Sequence, residues 1–231
     1  RSLIVKPARS SASGVDQAGP RNMSCKTSID GKSVVKGGKA VVGALAELPK
    51  YIGVIKQVSG ETGIPMELLA AIMWRESLFG LALTPPGPAG TGDGGHGRGL
   101  MQIDDRYHGK FISTGGWKDP YQAVKYAATE VLRPSYTFFQ SKAGNGVSVN
   151  QAMAKRLGVN PGVYKDPRPL SGLDLTKAVL AAYNAGNGAV LASLAAGKGP
   201  DKPTTGGEYG TNVQARSVQV AALLKQGGVA A

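Results

Sequence analysis

The sequence has 231 residues, 42% hydrophobic and 18% charged, with 34 glycines, 14 prolines and one cysteine. This composition supports a real core and excludes a disordered chain, a collagen repeat and a disulfide framework. The 27 Lys and Arg against 15 Asp and Glu leave a net charge of +12, which favours polyanionic partners. With 6% aromatics and no long basic run, a nucleic-acid module is not expected, and no apolar stretch approaches the ~20 residues of a membrane span.

Residues 1–30 mix Ser, Gly, Pro and basic side chains without period, so they are expected to be a loosely ordered N-terminal extension ahead of one domain over 31–231. Cys25 lies in that extension and has no intramolecular partner. The chain starts at Arg1 rather than Met, as expected after removal of a leader. From about Val34 the pattern turns helical: Ala40, Val41, Leu45 and Leu48 share one face, and Tyr51, Ile52, Ile55 and Val58 follow after Pro49. Pro65 suits a helix first turn, and residues 67–76 form the strongest helix signal, stopped by Gly80. Residues 81–99 read as a long Gly/Pro loop, and 100–104 as a short strand, with 105–118 continuing a small sheet. Asp119-Pro120 opens a helix over 121–132 that Pro134 ends or kinks. Residues 142–172 are loop-rich around a short helix at 150–157, and helices follow at 173–184, 188–196 and about 209–225.

Leu69, Ile72, Met73 and Glu76 fall on one helical stripe, which places the Glu76 carboxyl on an apolar face at the negative end of the helix. Both effects disfavour its ionised form, so the spacing predicts a raised pKa, as a general acid requires. A glutamate at a helix end can equally turn to solvent or pair with Arg75. Period two sets Gln102 and Asp104 on a cleft-facing side of the strand and Met101 and Ile103 on the core side. Asp93 precedes them in Gly-Asp-Gly-Gly; Asp93 and Asp104 could hold a water opposite a protonated Glu76, or serve as a turn residue and a cap. The glycine run at 91–99 lacks the Lys-Ser/Thr of a phosphate loop, and His96 and His108 share no ligand spacing, so neither a nucleotide nor a metal is expected.

In order, Arg75-Glu76-Ser77, Gly92-Asp93-Gly94, Gly99-Leu100-Met101-Gln102-Ile103-Asp104 with Arg106 and His108, and Ala182-Tyr183-Asn184-Ala185-Gly186 resemble the goose-type lysozymes. Ser24-Cys25-Lys26-Thr27 also resembles that family's mature N-terminal segment, and Glu208-Tyr209 with Val213, Ala215 and Arg216 its C-terminal helix. The resemblance implies an α+β, predominantly helical lysozyme-like domain with a small antiparallel sheet beside the cleft. It implies a secreted, bacteriolytic and monomeric muramidase, needing no cofactor, that cuts the β-1,4 bond between N-acetylmuramic acid and N-acetylglucosamine in anionic bacterial peptidoglycan.

By the same resemblance Glu76 is the catalytic acid, and Asp93 and Asp104 position the water of an inverting displacement. Gln102, His108, Tyr183, Asn184 and Tyr209 bind sugar. The chain departs from the vertebrate members in its lone cysteine and in the added-looking residues 84–90, which are expected to shift Asp93 and leave Asp104 the main water-holding group. Two other readings stand beside this one. Bacterial lytic transglycosylases share the Glu-Ser, Gly-Leu-Met-Gln and Ala-Tyr-Asn-Ala-Gly motifs but release anhydro products without water, and a cationic wall-binding protein would need no turnover at all.

Overall fold

A computed structural model describes residues 43–141, 146–167 and 169–227. The extension at 1–30, its Cys25, the start of the domain at 31 and the helical face begun by Ala40 and Val41 lie outside the described residues. A 3-10 turn at Ala44–Glu47 leads into α1, Leu48–Thr62, with Pro49 in its first turn, where the missing N–H is of no consequence. Tyr51, Ile55 and Val58 of α1 are buried, as their spacing predicts.

The helix around Glu76 is α2, Met66–Ser77, with Pro65 as its N-cap. Nine of its twelve residues are buried, so it is the central helix rather than an amphipathic surface one. It ends before Gly80, because Leu78 and Phe79 already turn left-handed with φ of 50° and 56°. Such a conformation costs an L-residue about 1–2 kcal/mol, and burying two large apolar side chains offsets it at about 2 kcal/mol each. Both side chains are 1% exposed. Ser77 Oγ donates to the Leu100 carbonyl at 2.8 Å and thereby joins the end of α2 to the sheet.

That sheet is minimal: β1 (Thr91–Gly92), β2 (Gly97–Arg98) and β3 (Ile103–Asp104) pair antiparallel in the order β1-β2-β3, with Gly97 opposite both Gly92 and Asp104. The expected strand at 100–104 is thus only its last two residues, although Met101 and Ile103 are buried and Gln102 and Asp104 face outward as the alternation predicts. Residues 105–118 do not extend the sheet. They form α3, Gly109–Ser113, and a 3-10 turn at Gly116–Lys118, because Ser113 and Thr114 hydroxyls bond back to local carbonyls and Phe111 stacks on Tyr126 at 3.9 Å.

Asp119 caps α4, Pro120–Tyr126, by accepting from the Gln122 amide at 2.8 Å. The chain continues through a π-helical segment, Ala127–Leu132, into α5, Arg133–Gln140. Pro134 therefore does not end the helix: it falls in the first turn of α5, where the wider π segment takes up the change in bonding register. Next come β4 (Gly146–Val149), α6 (Gln151–Leu157) and β5 (Gly162–Lys165); the helix was expected, the two-stranded sheet was not. This unit has its own small core, in which Val149, Ala154 and Leu157 pack on Ala192.

The last three helices are α7 (Gly172–Ala185), α8 (Asn187–Ala195) and α9 (Tyr209–Gln226), each within a residue or two of its predicted bounds. α9 lies along α2 and α7. It brings the fully buried Arg216 over the Trp74 ring at 4.3 Å, with Nε donating to Asn212. The architecture is α+β and mostly helical, with the three-stranded sheet at the C-terminal end of α2.

Candidate active site

Glu76 sits in the last turn of α2, where the helix emerges from the core into a cleft between the three-stranded sheet, the end of α7 and the start of α9. Burial pushes its carboxyl up to about 7, against the opposing pull of the Tyr209 hydroxyl and the Arg75 charge; the Asp93 charge adds to the rise. The Tyr209 hydroxyl donates to Glu76 Oε1. The acidic proton is then left to Oε2. Tyr209 is held in turn by the parallel ring of Tyr183, 6.5 Å between centroids, and by the Arg75 guanidinium 5.5 Å from its own ring. Burial raises both tyrosines well above the ordinary phenol range, so they remain O–H donors.

Across the cleft, Asp104 on β3 is locked to Arg106. The Arg106 amide and Nε donate to Oδ1 at 2.9 Å each, and Nη2 donates to Oδ2 at 2.5 Å. This pair holds the Asp104 carboxyl below the usual carboxylate range. Asp93 opens the turn between β1 and β2 in a left-handed conformation, φ 47°. Its side chain is 70% exposed and meets Arg106 Nη2 at 3.4 Å. Arg106 therefore bridges the two acidic residues, one saturated with donors and one largely open to solvent.

Gln102 is placed differently from a free sugar ligand. With φ 48° it turns its side chain back over the sheet, where Nε2 donates to the Gly99 carbonyl at 2.9 Å. A Cβ on either Gly92 or Gly97 would lie 2.2 Å from Gln102 Oε1, so the paired glycines make room for this side chain. Gln102 thus pins the hairpin that carries Asp93.

The cleft has two connected arms. One, of about 440 Å³, contains Glu76, Asp93 and Tyr209; the other, about 560 Å³, runs past His108, Glu130, Arg156 and Asn187, and both are lined by Gln102, Asp104, Arg106, Tyr183 and Asn184. His108 is bound through Nδ1 to the Tyr126 hydroxyl at 3.0 Å, and burial lowers its pKa, so it is neutral near pH 7. Tyr183 donates to the Met101 carbonyl at 2.8 Å, and Asn184 Oδ1 accepts from the Thr205 amide at 2.8 Å. All eight residues singled out in the sequence line the cleft.

Thr205 and Arg156 were not anticipated there, since their approach depends on how the loop before α9 and α6 pack around the cleft, whereas Arg75 was expected only as a partner for Glu76. Arg106 had a local signal in its two-residue spacing from Asp104. Among the described residues no cluster of three His, Cys, Asp or Glu is arranged to hold a metal ion, and no helix is long and apolar enough to cross a membrane.

The family model described as Transglycosylase SLT domain matches residues 53–204, about two-thirds of the chain, and includes Glu76, Asp93, Asp104 and Tyr183. Tyr209 and α9 lie beyond the matched stretch. The chain is also 28% identical over 198 residues to a protein named Lysozyme g from Casuarius casuarius, covering 84% of this chain and 87% of that protein. An acid with a raised pKa at a helix end, faced across a cleft by carboxylates on a small sheet, fits such relatives. The chain belongs to the transglycosylase SLT domain family, lysozyme-like enzymes that act on glycosidic bonds.

Proposed function

We propose that the protein is a muramidase that hydrolyses the β-1,4 bond between N-acetylmuramic acid and N-acetylglucosamine in bacterial peptidoglycan. The observation that carries this reading is the pairing of Glu76, its pKa near 7, with carboxylates on the opposite wall of the cleft. Glu76 Oε2 gives its proton to the glycosidic oxygen as the C1–O bond breaks. A water then attacks C1 from the opposite face and delivers a proton to a carboxylate, inverting the anomeric centre.

The two aspartates divide this work. Asp104 accepts several hydrogen bonds from Arg106 and is held in its ionised form, so it suits stabilising positive charge at C1 better than taking a proton. Asp93 is the more open carboxylate, which supports assigning it the water, the reverse of the order expected from the added residues before it. The basic surface suits an anionic wall, and secretion and a bacteriolytic role belong to the same proposal.

A second reading has support in the matched family itself, whose description is a transglycosylase. In that case Glu76 protonates the departing glycosidic oxygen, the C6 hydroxyl of the muramic residue attacks C1 and gives its own proton to the Glu76 carboxylate, and no water enters. Mass spectrometry of fragments released from purified peptidoglycan separates the readings. Reducing N-acetylmuramic ends from the wild type, with release lost in Glu76→Gln and strongly reduced in Asp93→Asn, are expected. Anhydro ends that persist in Asp93→Asn would replace hydrolysis by the intramolecular reaction, and undiminished bacterial killing by Glu76→Gln would replace both by wall binding.

A further inference from the structure

Glu208 occupies the N-cap of α9, yet its side chain caps nothing. Its carboxylate reaches instead to Arg75 Nη2 at 3.4 Å. The first amides of a helix need acceptors from elsewhere, and here they find them in the preceding loop. The Tyr209 amide donates to Thr204 Oγ1 at 3.2 Å. The Gly210 amide donates to Asp201 Oδ1 at 2.5 Å, and the Thr211 amide and hydroxyl donate to Asp201 Oδ2 at 3.0 and 2.7 Å. Asp201 is 6% exposed, with Lys177 Nζ at 3.6 Å offsetting its charge.

The fit around this carboxylate is close. A Cβ at Gly210 would lie 2.7 Å from the Lys177 carbonyl and 2.9 Å from Asp201 Oδ1, so the first turn of α9 is pressed against α7. The residue just before that glycine is Tyr209, whose hydroxyl meets Glu76. A shift of a few tenths of an ångström in this turn moves the hydroxyl by at least as much, and proton transfer is sensitive to such errors.

We propose that Asp201 is a positioning residue for the reaction, clamping the first turn of α9 so that the Tyr209 hydroxyl orients the Glu76 carboxyl. The proposal rests on Glu76 being the acid. The titratable and charged groups that line the cleft with Glu76 are Arg75 on its own helix, Tyr209 at the start of α9, Tyr183 on α7, and Asp93, Asp104 and Arg106 at the sheet, while Glu208 at the start of α9 pairs with Arg75. Of these, only the two at the start of α9 belong to the turn that Asp201 holds.

The test follows the carboxyl of Glu76 by NMR in the full chain labelled at glutamate, together with turnover of soluble peptidoglycan oligomers. Tyr209→Phe removes a donor that favours the ionised carboxylate, so the Glu76 midpoint rises. Asp201→Asn, which replaces an acceptor with an amide donor, is expected to raise the midpoint in the same direction and to lower kcat about 10- to 100-fold with KM within twofold. In the Tyr209→Phe background, Asp201→Asn is expected to move neither quantity further.

An unchanged midpoint in Asp201→Asn, or an equal loss of kcat in both backgrounds, overturns the proposal and leaves Asp201 a structural cap. If Asp201→Asn fails to fold, Thr211→Val decides, since it removes one hydroxyl donor only, and a wild-type midpoint in that variant overturns the clamp. Turnover retained by Glu76→Gln would instead defeat the assignment of the acid, an outcome the NMR midpoints do not depend on.

Discussion

Glu76 shows how one side chain can be costly to the fold and useful to chemistry. Its carboxyl is pushed from 4.5 to about 7, so the folded protein binds a proton in that window that the unfolded chain releases. Stability from this group is complete below about 4.5 and is lost as pH rises through 7. Glu76→Gln, which keeps an oxygen acceptor for Tyr209, is therefore expected to be more stable than the wild type at pH 8 by of order 1–3 kcal/mol, with little difference at pH 4. Thermal unfolding at the two pH values checks this. The same variant is expected to lose about 10²–10⁴-fold in turnover, and wild-type activity is expected to fall as pH rises through about 7, the limb of an acid that must be protonated. The raised pKa was legible in the sequence because it follows from helical spacing. Its donor was named too, but as a sugar ligand, since the 133-residue separation of Glu76 and Tyr209 hides their contact.

Among the elements, the three-stranded sheet has only two residues per strand, and its shape depends on side chains bonding to backbone. Gln102 fills the space over Gly92 and Gly97, and Arg106 ties Asp104 to Asp93. Gly97→Ala, at a position whose backbone tolerates alanine, would displace Gln102 and loosen the turn carrying Asp93. The expected outcome is a loss of activity of about tenfold or more with a stability change of about 1–3 kcal/mol, read by turnover and denaturant unfolding. The sheet was only partly legible, because alternation over five residues fits a strand but gives no strand partner. Helices α7, α8 and α9 were legible almost to the residue, because apolar periodicity and glycine stops are local signals.

At the scale of the whole molecule, the described residues form two cores of unequal size. The main one surrounds α2, while in the smaller one Val149, Ala154 and Leu157 of the β4-α6-β5 unit pack onto Ala192 of α8. Arg156 of that unit lines the larger arm of the cleft and donates to the Pro203 carbonyl, so the unit is a wall of the site as well as an appendage. Leu157→Ala, at a side chain 1% exposed, is expected to raise hydrogen exchange across 146–165 while leaving α2 protected. Leu69→Ala, at the main core, is expected to lower global stability by about 2–5 kcal/mol. The charge of +12 acts at this scale too: binding of Glu76→Gln to purified walls is expected to weaken steadily with added salt, measured by sedimentation.

By itself the sequence determined most of the helices, though not α3 or α5, the buried stripe that ends in Glu76, and the set of polar residues available to the cleft, because these depend on spacing along a few turns of chain. Only the tertiary structure decided which groups touch. It brought Tyr209 to Glu76, folded Gln102 back over the sheet as a latch, and saturated Asp104 with Arg106 while leaving Asp93 open. It also placed Pro134 in a first helical turn. Such choices are made by the packing of distant segments, and the energies that separate them, about 1–3 kcal/mol each, are not expressed in any local pattern.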